Sequence, residues 1–160
     1  FSVEHHTPGN EFDVLAFNLS AELTYTNLLN CVDLAGVPVR SAERTAAHPL
    51  VIAGGHCTYN PEPLADFLDA VVLGDGEEVV GEITEVLVAH RQRPGATRHD
   101  LQLALAGIES VYVPSLYEVA YDGPRVRSIT PLFAGVPATV AKRNPPARPG
   151  TLFALTSFSA

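Results

Sequence analysis

Three short polar turns carry the residues that could do chemistry. The sharpest is Gly74-Asp75-Gly76-Glu77-Glu78, directly after the apolar run Val71-Val72-Leu73. Its glycines would let backbone N–H groups approach a ligand closely. The carboxylates of Asp75, Glu77 and Glu78 work against phosphate and suit a ribose hydroxyl or an amide. A tight turn with a helix cap explains the same residues without any ligand. The second turn, Gly54-Gly55-His56, follows Pro49-Leu50-Val51-Ile52-Ala53. His56 could reach over a sheet edge to a ligand, cap a helix or face solvent. The third, Asn18-Leu19-Ser20-Ala21-Glu22, ends another apolar run, and Tyr25, Thr26 and Asn27 extend its wall. Here the plain alternatives are local backbone bonds from Asn18 and Ser20, and an N-cap at Thr24.

Several chemistries are excluded by what is missing. The chain holds no GxGxxG and no GxxxxGK[ST], the glycine patterns that cradle nucleotide phosphates. Ser110 and Ser115 sit in no nucleophile elbow. His56 and Cys57 are adjacent, so their side chains diverge and make a poor zinc pair. Nothing resembles CxxC or an iron–sulfur triad. An acid–base enzyme using His56 with Asp75 or Glu77 is a rival reading; it requires those groups to converge within hydrogen-bond reach.

The elements that must position these turns follow from periodicity. Phe12 to Leu19 lacks strict alternation, as a strand covered on both faces does. Leu28, Leu29, Val32 and Ala35 repeat at helical spacing within a helix from Thr24 to Leu34, closed by Gly36 and Pro38. That pattern buries Cys31. Leu50 to Ala53 is a second strand. A helix is expected from Asn60-Pro61, with Asn60 as N-cap and Leu64, Phe67 and Leu68 as its stripe. Ala70 to Leu73 is a third strand. A helix from about Glu77 buries Val79, Val80, Ile83, Val86 and Leu87. Three strand–helix units in a row predict a doubly wound α/β sheet whose three turns converge at one edge as a binding crevice. Asp13 belongs at the opposite end. Beyond Arg91, Leu101 to Ile108 reads as a short helix, and Tyr117–Tyr121 and Val126–Ile129 flank the turn signal Asp122-Gly123 as a hairpin. Ala141 to Gly150, rich in proline and basic residues, reads as a linker or tail. The expected division is 1–92, a sheet domain; 93–143, a helix and hairpin extension; and 144–160, a tail.

Composition bounds the function. The 160 residues are 46% apolar and carry a net charge of −8, so the chain can bury a core and its field would repel nucleic acid. No apolar run approaches the length of a membrane span. Two cysteines rule out a disulfide scaffold and suit a reducing, cytoplasmic setting. Methionine occurs nowhere, not even at position 1, so the chain is expected to begin inside a longer protein or to have been processed.

The combination of Phe12-Asp13-Val14-Leu15-Ala16-Phe17, Glu22-Leu23-Thr24-Tyr25-Thr26-Asn27, His48 to Gly55, Asn60-Pro61-Glu62-Pro63, Gly74 to Glu78 and Val111 to Val119 resembles one group of radical SAM proteins with a cobalamin-binding-like N-terminal domain. The likeness extends to Val140-Ala141-Lys142-Arg143. It implies a Rossmann-like parallel sheet flanked by helices, lacking its first strand–helix unit, with a small C-terminal β-hairpin. It implies a cobalamin site made of Asn18, Ser20, Glu22, Thr26, Gly54, Gly55, His56, Gly74, Asp75, Gly76 and Glu77, with no catalytic residue. The [4Fe–4S] cluster and S-adenosylmethionine belong to a barrel domain, which would be the partner; its CxxxCxxC does not occur here. The DxHxxG motif, whose histidine ligates cobalt in the wider family, does not occur either, and Asn18 stands where the family usually has serine. A sheet lacking its first unit would leave an edge open, with a homodimer through that edge as one outcome. A cofactor-free docking domain is the second reading.

Overall fold

The computed structural model describes residues 1–144. A four-stranded sheet in the order β1-β2-β3-β4 forms its centre: β1 (Val14–Asn18), β2 (Leu50–Gly54), β3 (Ala70–Val72) and β4 (Val111–Tyr112). The first three are parallel, with Val14 opposite Leu50, Asn18 opposite Gly54 and Ile52 opposite Ala70. Alternation therefore puts Val14, Ala16, Asn18, Ile52, Gly54 and Val72 on one face. Leu15, Phe17, Val51, Ala53 and Val71 take the other. Helix α1 (Tyr25–Leu34) lies on the second face and α2 (Val79–Arg91) on the first. The core, including Val51, Ala53, Val71 and Val79, is fully buried where sheet and helices meet.

The α/β reading and the C-terminal hairpin hold, with four corrections. First, β4 runs antiparallel to β3, with Val71 opposite Tyr112, so the sheet is mixed. The cause is the pair α2 and α3 (Arg98–Ala106), which pack together. Two successive helices carry the chain down and back, so it re-enters the sheet from the end it left. Helix α3 starts earlier than its apolar pattern suggested, because Thr97 and Asp100 form a capping box. Second, among the described residues the strand order proceeds one way across the sheet, without the reversal of a doubly wound fold. Third, no α-helix follows Asn60. The segment makes two 3-10 turns, His56–Tyr59 and Glu62–Leu64, and Asn60 caps neither with its side chain. Pro61 and Pro63 both lack N–H groups, and few residues remain before β3. Fourth, Cys31 is exposed: Leu28 and Val32 take the buried side of α1, leaving Cys31 on a groove beside β1.

β1 ends the sheet. Nearby, Leu34 is 78% exposed, so apolar surface adjoins this open edge. At the other side, the hairpin of β5 (Tyr117–Asp122) and β6 (Arg125–Pro131) turns through Gly123-Pro124, with Gly123 at φ +59°. Tyr112 and Tyr121 both donate to Glu62, at 3.2 and 2.8 Å, which ties the hairpin to the loop before β3. Residues 145–160, most of the expected tail, lie outside the described residues.

The strand starts are held by one buried carboxylate. Asp69 Oδ2 accepts from Arg44 Nη1 at 2.7 Å and from the Val51 amide at 2.8 Å. Arg98 Nη2 lies 2.9 Å from Oδ1. The side chains of Arg44 and Asp69 are 0% exposed. Removing one partner would leave buried, uncompensated charge. Asp69→Asn is expected to cost about 3–5 kcal/mol in urea unfolding, whereas Asp66→Asn, which breaks the exposed pair with Arg40, should cost under about 1 kcal/mol. Equal costs would show that the buried pair has no special role.

Candidate functional site

β1, β2 and β3 end side by side, so the turns after them form adjacent loops. Backbone bonds join the first two: the Leu19 amide donates to the Gly54 carbonyl at 2.7 Å, and the Cys57 amide to the Leu19 carbonyl at 3.1 Å. Gly55 sits against this junction at φ +105°. A Cβ there would lie 2.6 Å from the Leu19 carbonyl oxygen and closer still to Asn18 Oδ1. Only glycine satisfies both the angle and the contact.

The third loop has an unexpected neighbour. The chain returns beyond the hairpin, and Arg143 pairs with Gly74 as an isolated parallel bridge. The Arg143 amide donates to the Leu73 carbonyl at 3.1 Å, and the Asp75 amide to the Arg143 carbonyl at 3.3 Å. A Cβ on Gly74, at φ +103°, would overlap the Arg143 backbone. The Arg143 side chain donates from both terminal nitrogens to Glu82 of α2, and Nη2 lies 3.6 Å from Glu109. Arg143 therefore belongs to the folded domain, not to a loose tail.

Between the first sheet face and α2 lies a cleft of about 730 Å³ that opens at the carboxyl ends of the parallel strands. This is within the range of small-molecule sites. Val14, Ala16, Ile52, Val72, Ile83 and Leu87 form apolar walls, while Asn18, His56, Tyr59, Asp75, Glu77 and Lys142 bring polar groups to it. Val80 is a correction to the helix reading: it is 62% exposed and lines this cleft instead of the core. Thr84 lies one helical turn further on and lines it too.

Among the residues expected from sequence, Asn18, Gly54, Gly55, His56, Gly74, Asp75, Gly76 and Glu77 line this cleft. Ser20, Glu22 and Thr26 do not; all three are exposed on the first loop and the start of α1. The Tyr25 hydroxyl, at the start of α1, donates to the Cys57 carbonyl at 3.2 Å. Desolvation pushes the Cys57 thiol up, and the Glu22 charge adds to it, which opposes thiolate formation. His56, Asp75 and Glu77 share the cleft without a hydrogen bond between them among the described residues. Asp13 pairs with Arg91 at the opposite end of the sheet, as expected. Tyr59, Val80, Thr84 and Lys142 escaped sequence reasoning.

The arrangement suits a ligand with an apolar body and a polar periphery. Gly76 offers a cradle: a Cβ there would meet nothing within 4 Å, so the protein itself leaves this space open. Among the described residues no group of three or more His, Cys, Asp or Glu side chains converges to hold a metal ion. No helix among them is long and apolar enough to cross a membrane.

The two glycines make opposite predictions. Gly55→Ala should destabilise the domain by about 1–3 kcal/mol, through backbone strain and contact with the first loop. Gly76→Ala should stay within about 0.5 kcal/mol of wild type. Chemical denaturation checks both, and a neutral Gly55→Ala would contradict the loop junction. A third prediction concerns acid. The hydrogen bond from Arg143 holds the Glu82 carboxyl below its ordinary range, opposing desolvation. A depressed carboxyl contributes stability above its unfolded pKa of about 4.3 and loses it as pH falls through the folded value. The Arg143 amide resonance should therefore shift in acid below about pH 4. Release on the alkaline side alone would oppose this.

Comparison with known protein families places residues 1–114 in a family described as radical SAM proteins, N-terminal. No curated protein and no solved structure matches the chain. The matched span covers most of the 160 residues, including the whole sheet and all three loops at its edge. The chain belongs to this family, as its cobalamin-binding-like N-terminal domain.

Proposed function

We propose that this domain holds a corrinoid cofactor across the carboxyl edge of its sheet and performs no catalysis of its own. The observation that carries the reading is the cleft: apolar walls, a polar mouth and an open glycine cradle at Gly76, assembled from loops that the family match covers. Cobalamin has an apolar macrocycle fringed with carboxamides, and these residues fit it. Asn18, Gly55, His56, Gly76 and Glu77 would meet its amides or tail, and Ile52 and Val72 its apolar parts. Ser20, Glu22 and Thr26 stand next to the site rather than in it. Bound cobalamin would supply organometallic or radical chemistry that side chains lack. The protein's share is to bind, to orient and to exclude water. His56 is not assigned to cobalt.

In this reading residues 1–92 form the binding domain, and 93–143 an extension that buttresses it. The partner is a radical SAM barrel of the parent protein, which would carry the [4Fe–4S] cluster and S-adenosylmethionine. The second reading is a cofactor-free docking domain. It is favoured by the missing DxHxxG and by the open edge of β1, through which two copies could also pair.

Titration of the purified chain with hydroxocobalamin, followed by gel filtration and a visible spectrum of the protein peak, tests the proposal. Co-elution at a defined stoichiometry is expected. Folded protein that retains no cofactor would sink it and leave the docking reading.

A further inference from the structure

Lys142 is the only lysine or arginine lining the cleft among the described residues. It does not come from any of the three loops. It comes from the short return of chain that pairs with Gly74. Its ammonium lies 5.6 Å from the centre of the Tyr59 ring, within cation–π range. Asp75 lines the same mouth and acts on it electrostatically. The Tyr59 contact and Asp75 raise the Lys142 pKa, so it stays charged. The next residue, Arg143, is fixed by backbone bonds to Leu73 and Asp75 and by its side chain to Glu82.

We propose that residues 140–143 form a strap, latched by Arg143, that delivers Lys142 to the cleft as a ligand-binding residue. We further propose that Lys142 and Asp75 together recognise a primary carboxamide of the ligand. The Lys142 ammonium donates to the carboxamide oxygen and Asp75 accepts from its NH2. The pairing follows from charge. A phosphate or carboxylate placed at Lys142 would also face Asp75 and Glu77, whereas a neutral amide satisfies a cation and an anion at once. The geometry of the strap stands without a ligand; the role of Lys142 rests on the corrinoid reading above.

Two measurements on the full chain test this. Without ligand, amide exchange at Asp75 and Arg143 should be slow. It should accelerate about tenfold or more in Arg143→Met and in Glu82→Gln, relative to the core amide of Val51, and stay slow in Lys142→Met. Wild-type exchange as fast as in Arg143→Met overturns the strap. With hydroxocobalamin, Lys142→Met should weaken binding about tenfold, the loss of one charge-assisted hydrogen bond, with unfolding unchanged, and Lys142→Arg should restore part of it. Wild-type binding with an equal affinity in Lys142→Met overturns the role of Lys142 and leaves the corrinoid reading intact. A strap that is protected in a wild-type chain taking up no hydroxocobalamin removes the corrinoid reading and the ligand role together.

Discussion

The buried carboxylate of Asp69 sets the frame on which the rest depends. It receives Arg44 and the Val51 amide, and Arg98 stands against its other oxygen. Arg44 also donates to the carbonyls of Pro38, Val39 and Phe67, and Arg98 to those of Thr45, His48 and Pro49. One acid thus collects the segment before β2, the start of β3 and the start of α3. Burial lowers the Arg44 pKa, and Asp69 opposes that shift; a guanidinium stays charged regardless. Such a pair adds little net stability against an apolar substitute, but breaking it is costly. It fixes where β2 and β3 begin, and so where they end. The turns at Gly54 and Gly74 reach the same level because their strands are pinned at the far end.

The opposite edge is organised by backbone contact rather than charge. Gly55 lets the first two loops touch, and Gly74 lets the third loop take the strap. Both hold φ values that other residues rarely adopt. The cleft is therefore bounded on its open side by main chain. Side chains at the mouth, His56 and Lys142 among them, are exposed. Acid–base catalysis demands a tight constellation of groups, and among the described residues His56, Asp75 and Glu77 make no hydrogen bond to one another.

Local pattern made the strands, α1 and the three turns legible, because short apolar runs that stop in glycine carry that signal directly. Non-local pairing decided the rest. Nothing near Arg44 indicates that it meets Asp69, twenty-five positions away. Val80 looks like core by spacing, yet the cleft keeps its side of α2 uncovered. The proline-flanked segment after Asn60 carried a helix start signal that its own prolines defeated. Lys142 sits among basic and proline residues that read as a tail, and only the Gly74 pairing brings it to the site. The resemblance extending to Arg143 was the one hint that the domain continues so far.

The same fold often binds dinucleotides by placing a pyrophosphate at a helix N-terminus. Here that position is closed. The residues just before α2 are Glu77 and Glu78, with Asp75 ahead of them. These carboxylates neutralise the positive end of the helix and would repel phosphate. Among the described residues the only counter-charge from lysine or arginine in the cleft is Lys142, and Asp75 shares the mouth with it. In the corrinoid reading proposed above, the walls of valine, isoleucine and leucine would take the apolar body, and the acidic mouth would favour a neutral, amide-bearing periphery over an anionic one. Fold alone would leave nucleotide and corrinoid equally open; the acidic third loop is the feature on which the corrinoid proposal prefers the second.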